Sequence, residues 1–169
     1  MYETPDEMLR LQSVLDASAA SAGPHLRGII TADRRFDAVA LCERLRGMCL
    51  VVLTTVTADG RPLGGPVDGY FLHGCFWFSS GRDAVRMRHL ASRPAASATY
   101  LPGEEFAVTV HGTAEVFDVL DPSRGELRQA MLDWYLPKHG SAFETWLTAV
   151  NPLGARIVPE KMFTMQMTS

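Results

Sequence analysis

The sequence has few cysteines, and their arrangement excludes two classes of protein. Three cysteines, Cys42, Cys49 and Cys75, occur among the 169 residues. An odd number of widely spaced cysteines, without a C-x-x-C pair or a Cys/His ligand pattern, argues against a disulfide framework and a structural zinc site. Cys75 precedes aromatic residues on a predicted buried strand, so we expect it to be a small hydrophobic residue rather than a nucleophile. This cysteine usage is typical of the reducing cytoplasm, which is the location that we expect.

Long hydrophobic runs and a strong net charge are also missing. No apolar stretch approaches the roughly 18 residues that a membrane helix needs, and the acidic N-terminus differs from the basic start of a signal peptide. The formal net charge is -3, which provides no overall basic field, so we expect neither a membrane nor a nucleic acid as partner. The sequence shows no Ser/His/Asp grouping, paired-carboxylate motif or metal-ligand spacing, so we predict no catalytic side chain and no metal site.

The chain begins with a predicted helical arm. Its hydrophobic content of 47% is enough for one sizeable core in a chain of this length. The segment Thr4-Pro5-Asp6-Glu7 combines a hydroxyl cap, a proline at the first helical position and a glutamate three residues after the cap, which predicts a helix start. A second helix is predicted from Ala38 to about Arg46. We therefore divide the chain into an arm, residues 1–47, and a main body, residues 48–169.

From residue 48 onwards, the pattern changes to short strands separated by turns that contain glycine. The strands are predicted over about residues 48–57, 62–72, 75–80, 95–101, 106–118, 155–158 and 162–167. Helices are predicted between the third and fourth strands, from Asp121 to about Leu136, and over residues 142–150. Many short strands with a few inserted helices predict a mainly β, α+β fold, in which a small barrel carries helical additions.

The segment from Ser79 to Leu90 carries the strongest functional signal. It leads from an aromatic strand through two hydroxyls and a glycine into a helix that carries arginines. Unpaired N–H groups at a helix start attract anions, and hydroxyl and guanidinium groups strengthen such a site. Arg82 and Arg86 are four residues apart, which places them on one face of a continuous helix. The alternative is that these arginines form a solvated basic surface and that Asp83 only caps the helix.

Five segments follow one another in an order that characterises a known family. They are Thr55-Val-Thr-Ala-Asp-Gly-Arg-Pro-Leu, Phe76-Trp-Phe-Ser-Ser, Val85-Arg-Met-Arg-His-Leu, Val110-His-Gly-Thr-Ala-Glu-Val and Ala155-Arg-Ile-Val-Pro-Glu-Lys-Met-Phe. From about Met48 to Met167, this order resembles the pyridoxamine 5'-phosphate oxidase-like family of flavin-binding split barrels. The resemblance implies a six-stranded antiparallel split barrel that forms a homodimer, with FMN or a deazaflavin coenzyme in a cleft at the subunit interface.

The resemblance also implies which residues hold the cofactor. Ser79, Ser80 and Arg86 match the hydroxyl and basic positions on the phosphate side, and Arg82 and Arg88 are neighbours of that group. The run Gly64-Gly65-Pro66-Val67 matches the stretch whose backbone lies along the flavin ring. The expected cofactor-binding residues are therefore Gly64, Gly65, Pro66, Val67, Phe78, Ser79, Ser80, Arg82 and Arg86. Phe78 also fits the interior of the barrel, as Phe76 and Trp77 do.

The expected function is a flavin-dependent oxidoreductase acting on an unidentified small organic substrate. FMN is the expected cofactor, with the deazaflavin coenzyme as the alternative and haem as the third choice. Pyridoxamine phosphate oxidases carry basic side chains along the second strand, whereas here only Arg61 precedes an uncharged run, so the vitamin B6 activity is not expected. The alternative function is a non-enzymatic carrier of flavin or haem on the same barrel. Asp68 and Tyr70 are candidates for substrate contact, or for a turn and an interface contact.

Overall fold

A closed barrel of six antiparallel strands forms the body of the protein. The computed structural model describes residues 2–167. Its strands are β1 (Met48–Val56), β2 (Pro62–Leu72), β3 (Cys75–Ser80), β4 (Ala95–Gly103), β5 (Phe106–Asp118) and β6 (Leu153–Gln166). They follow one another around the barrel in the order β1-β2-β3-β6-β5-β4. This architecture confirms the predicted mainly β fold with helical additions.

Within residues 2–167, six α-helices surround the barrel. They are α1 (Pro5–Ser21), α2 (Pro24–Ile29), α3 (Ala38–Arg44), α4 (Val85–Ser92), α5 (Gly125–His139) and α6 (Ala142–Val150). The predicted capping box begins α1, because the Thr4 side chain accepts the Glu7 N–H while the Glu7 carboxylate accepts the Thr4 N–H. The short helix α2 was not predicted, and Pro24 occupies its first turn. No helix between residues 2 and 167 is long and apolar enough to cross a membrane.

Two local predictions were wrong. The last two predicted strands form one continuous strand, β6, because Pro159 does not end it but lies at a bulge. At that bulge the register against β5 shifts between His111 and Gly112, which absorbs one extra residue of β6. Asp83 does not cap α4, since Ala84 occupies the N-cap position without a side-chain hydrogen bond.

Side chains on the two faces of the barrel wall belong to two separate hydrophobic clusters. The interior cluster contains Phe76 and Phe78 of β3 together with Leu11 of α1 and Leu41 of α3, so the predicted arm shares its core with the barrel. The outer cluster joins the opposite faces of β2 and β3 to α5 and α6. It contains Tyr70, Leu72, Cys75, Trp77, Val119, Leu127, Ala130, Met131, Leu132, Phe143 and Leu147. Burying one large apolar side chain contributes about 1.5–3 kcal/mol, so this cluster holds the two helices firmly over the outside of β2 and β3.

A substitution at Gly112 tests the packing at the bulge. A Cβ atom on Gly112 would lie 2.0 Å from the carbonyl oxygen of Val158, which belongs to backbone and cannot rotate away. We predict that Gly112→Ala lowers the free energy of unfolding by about 1–3 kcal/mol, measured by chemical denaturation. Gly103→Ala is the matched control, because a Cβ there meets no atom within 4 Å. Equal stability of the two variants would contradict the observed packing.

The three thiols should be inert in the folded protein. All three cysteines are buried, and burial raises the pKa of Cys42 and Cys49 to about 12 and that of Cys75 to about 11. Because the thiolate is the reactive form, we predict negligible reaction with Ellman's reagent at about pH 8 in the native state. Unfolding in denaturant should release three reactive thiols. Rapid labelling of the native protein would overturn this assignment.

Candidate functional site

Strands β2 and β3 separate partway along their length, and this separation opens the barrel wall. Their pairing extends only from Leu72↔Cys75 to Gly69↔Phe78. Beyond Gly69, β2 stays paired with β1 as far as Pro62, whereas Ser79 and Ser80 of β3 stay paired with β6. Within the described chain, the edge of β2 that faces away from β1 therefore has no strand partner over residues 62–68. Its backbone donors and acceptors are open to a ligand.

A cavity of about 730 Å³ lies at this separation, between the barrel wall and the helices α5 and α6. The barrel side provides most of the polar groups, from Pro66, Val67, Ser79, Ser80, Gly81 and Arg86. The helix side is mostly apolar and includes Met131, Tyr135, Phe143, Trp146 and Val150. A cavity with an apolar wall facing a few convergent polar groups is the usual form of a small-molecule site.

Arg86 is the cation on the barrel side of this cavity. It projects from α4 and is half-buried, and its Nη1 donates to the carbonyl oxygen of Pro66 at 2.9 Å. Its Nη2 lies 3.4 Å from the point where Gly65 would carry a Cβ, so the absence of a side chain at Gly65 leaves room for the guanidinium group. A guanidinium group has five N–H donors, and the hydrogen bond to Pro66 uses one of them. The other donors of Arg86 can bind an anion in the cavity.

Five of the nine predicted cofactor-binding residues come together around the cavity. They are Pro66, Val67, Ser79, Ser80 and Arg86. Gly64 and Gly65 lie on the same strand next to this group but do not line the cavity.

Phe78 does not line the cavity either. Its side chain is 0% exposed and belongs to the interior cluster, because alternate residues of β3 point into the barrel. The aromatic side chain therefore packs the barrel instead of facing a ligand in this cavity.

Arg82 does not share a helix face with Arg86, because α4 begins only at Val85 and Arg82 lies in the preceding turn. Its guanidinium group donates to the carbonyl oxygen of Asn151 at 2.6 Å, to the Asn151 side chain at 2.7 Å and to the carboxylate of Asp118. The hydrogen bond from Arg82 also lowers the pKa of Asp118. Arg82 thus fixes the connection between α6 and β6 at the rim of the cavity, rather than facing the cavity itself.

The helix side of the cavity was not predicted as part of the site. Tyr135, Phe143 and Trp146 form an aromatic wall, with ring centroids 4.7 Å apart for the first pair and 5.5 Å for the second. From the sequence, Tyr135 and Trp146 look like helix-packing or dimer-contact residues. Trp146 is 52% exposed in the structure, which is unusual for a large aromatic side chain and is consistent with a place in a ligand site.

Asp68, Tyr70 and Tyr135 form a polar group at another part of the cavity wall. The Tyr135 hydroxyl donates to the carboxylate of Asp68. Burial, aided by Asp68, raises the pKa of Tyr135 to about 12, and burial also raises the pKa of Tyr70. Both tyrosines therefore remain protonated at neutral pH and act as hydrogen-bonding groups rather than bases.

Three of the histidines are engaged outside this cavity. The Nδ1 atom of His73 lies 3.1 Å from the Glu7 carboxylate, that of His89 lies 3.0 Å from the Thr55 hydroxyl, and that of His111 lies 2.7 Å from the Ser97 hydroxyl. The first pair links the turn between β2 and β3 to the first turn of α1. The second pair links α4 to β1, and the third links β5 to β4. His139, at the end of α5, is the histidine that lines the cavity among the residues described.

Solved structures share this fold at low sequence identity. The conserved hypothetical protein Rv2991 from Mycobacterium tuberculosis matches with a TM-score of 0.66 and 18% identity, over 80% of this chain and 88% of that one. HutZ, described as the haem storage protein of Vibrio cholerae, matches with a TM-score of 0.60 and 16% identity over 78% and 95%. A protein described as an F420 reductase matches with a TM-score of 0.52 and 18% identity over 70% and 92%. These likenesses show the fold, and no curated protein matches the sequence.

The sequence model of the pyridoxamine 5'-phosphate oxidase family matches residues 40–158. This range is more than half of the chain and contains β1 to β5, the first part of β6 and every residue that lines the cavity. The five ordered segments that suggested the resemblance also begin within it. The chain therefore belongs to the pyridoxamine 5'-phosphate oxidase family.

Proposed function

We propose that the cavity binds a flavin-type cofactor and that the protein is an oxidoreductase acting on a small organic substrate. The observation that carries this proposal is that Arg86 and an unpaired strand edge face the same cavity. Ser79, Ser80 and Arg86 would hold the cofactor phosphate, since charge-assisted hydrogen bonds to a phosphate are strong. The open edge of β2 along residues 64–68 would supply backbone hydrogen bonds to the polar edge of the ring.

The residues present fit such a cofactor. A flavin-type ring is flat and largely apolar on its faces, and the wall of Met131, Phe143 and Trp146 provides an apolar surface opposite the barrel. Gly65 leaves space beside the strand, which is filled by the Arg86 guanidinium group. The bound cofactor would supply hydride or electron transfer, while the protein binds it, orients its ring and limits access of water.

We place FMN first and the deazaflavin coenzyme second. Membership of the family supports a flavin, and the fold shared with a protein described as an F420 reductase makes the deazaflavin a reasonable alternative. The exposed part of β2 carries Gly64, Gly65, Pro66 and Val67, so it offers no basic side chain for the phosphate of a vitamin B6 substrate. The substrate is therefore expected to be something other than pyridoxamine 5'-phosphate.

We also propose that the active form is a homodimer. Leu50 and Val52 are 57% and 51% exposed on the outer face of β1, and Leu101 is 61% exposed on β4. In the strand register, Leu50 lies opposite Asp68 and Val52 opposite Pro66, and both of these β2 residues line the cavity. A contiguous exposed apolar face favours a protein partner, and a second copy on this face would lie next to the cavity.

A haem carrier is the second candidate function. Its specific support is His139, which lines the cavity and has the imidazole that haem iron commonly binds. The fold is also shared with a protein described as a haem storage protein. The visible spectrum separates the candidates, because FMN, deazaflavin and haem absorb in different bands.

Replacement of Arg86 tests the phosphate side of the proposed site. We predict that Arg86→Ala weakens the binding of FMN or the deazaflavin coenzyme at least about tenfold, on the scale of a charge-assisted contact, measured by fluorescence titration. Arg88→Ala is the matched control, because Arg88 lies on the same helix, is exposed and donates to the Asp83 carbonyl oxygen. Equal effects of the two substitutions would remove Arg86 from the site. If neither cofactor binds the unaltered protein, the proposed oxidoreductase function is wrong.

Replacement of Val52 tests the homodimer. We predict that Val52→Asp shifts the protein towards monomers in sedimentation velocity and weakens cofactor binding, because a carboxylate would be buried at the interface. Val39→Asp on α3 is the control, since Val39 is 52% exposed and Val52 51%. A Val52→Asp protein that stays dimeric would show that another surface forms the dimer, and an unaltered protein that is monomeric would refute the dimer itself.

A further inference from the structure

The cavity has two polar ends, and the proposed cofactor accounts for only one of them. Successive side chains of a strand alternate between its faces, so Pro66, Asp68 and Tyr70 of β2 lie on the same face. At about 3.3 Å per residue, Tyr70 is roughly 13 Å along the strand from Pro66, whose carbonyl oxygen accepts the hydrogen bond from Arg86. The far end, formed by Asp68, Tyr70 and Tyr135, has no role in holding a phosphate.

The Tyr70 hydroxyl at this far end is buried and unpaired. The Tyr70 side chain lines the cavity and is 3% exposed, and its hydroxyl has no hydrogen-bond partner among the described residues. Leaving a buried polar group unpaired is unfavourable, and a donor without an acceptor is rarer than the reverse. The Tyr135 hydroxyl gives its hydrogen to Asp68, and its oxygen approaches Tyr70 without meeting hydrogen-bond geometry, so the Tyr70 hydrogen is available to an acceptor that enters this end of the cavity.

The surroundings of Tyr70 restrict the acceptor that could approach it. Met131 and Phe143 provide apolar surface nearby in the cavity wall, which suits a flat ring compound. The Asp68 carboxylate disfavours a substrate that carries a negative charge at this end. Arg86, the cation on the barrel side, lies at the other end of the cavity, so it does not neutralise an anion beside Tyr70.

We propose that Tyr70 donates a hydrogen bond to an oxygen atom of the substrate, so that this end of the cavity selects uncharged, planar ring compounds with a carbonyl oxygen. Tyr70 is then a residue that determines substrate specificity. Tyr135 and Asp68 are positioning residues that hold the far end in place. This inference rests on the proposed function, because the cofactor ring has to leave this end of the cavity free for a substrate.

A matched pair of probes tests the inference. 1-Tetralone and tetralin have the same two fused rings and differ by one carbonyl oxygen. Their dissociation constants are to be measured by titration calorimetry on the full-length protein, without cofactor and with saturating FMN. Because one neutral hydrogen bond contributes about 1 kcal/mol, we expect Tyr70→Phe to lower the preference for 1-tetralone over tetralin at least about fivefold.

Tyr100→Phe is the control variant. Tyr100 lies on β4 with its ring 6.0 Å from that of Phe106 and does not line the cavity. The preference for 1-tetralone should be unchanged in this variant. The ligand-free Tyr70→Phe protein should melt at the same or a higher temperature than the unaltered protein, because it loses only an unpaired hydroxyl.

Three results would overturn the inference: an unchanged preference in Tyr70→Phe, an equal change in Tyr100→Phe, or a lower melting temperature of ligand-free Tyr70→Phe. The last result would mean that the hydroxyl has a structural partner. Failure of the proposed function would give a different result: neither FMN nor the deazaflavin coenzyme would bind in titrations with the cofactor alone.

Discussion

The interruption of pairing between β2 and β3 is the constraint on which the rest of the site depends. The two strands pair only up to Gly69↔Phe78, after which each remains bonded to its other neighbour. The barrel therefore stays closed at one end of these strands, while β2 presents an unpaired edge at the other. Unpaired backbone groups need partners from elsewhere. Arg86 supplies one of them at the Pro66 carbonyl oxygen, and the proposed cofactor would supply others.

Packing on both sides of the wall keeps this gap open. The inner face of β3 is fixed by the interior cluster through Phe76 and Phe78, and its outer face by α5 and α6 through Trp77. Arg82 ties the end of α6 to the turn before α4. The Tyr135–Asp68 hydrogen bond ties α5 to β2 on the opposite side of the cavity. Two separate attachments therefore set the width of the cavity, and neither uses Arg86 or the serine hydroxyls.

Much of the fold could be predicted from local patterns. Alternating apolar residues define β5 with the bounds expected, and the capping box at Thr4 marks the start of α1. Strand β6 was predicted as two separate strands. A proline inside a strand is normally disfavoured, and the bulge that accommodates Pro159 depends on the partner strand.

The predicted residues that line the cavity belong to two short segments, Pro66-Val67 and Ser79 to Arg86. Ser79, Ser80 and Arg86 belong to one short segment, so their grouping was visible. Arg82 was assigned to the same helix face because its spacing from Arg86 is four residues, but the helix begins after it. The helix side was missed because Tyr135 meets Asp68 across 67 positions of sequence, and no local pattern reports that contact. The open edge of β2 also depends on register between strands, which a single sequence does not define.

The most direct test of the central claim is amide hydrogen exchange with and without saturating FMN or the deazaflavin coenzyme. If the separated edge of β2 and the segment from Ser79 to Arg86 form the cofactor site, binding should slow exchange over residues 64–68 and 79–86 more than elsewhere in the protein. Unchanged exchange in both segments on cofactor binding, or slowing confined to the separate cavity beside Glu7 and His73, would contradict the account.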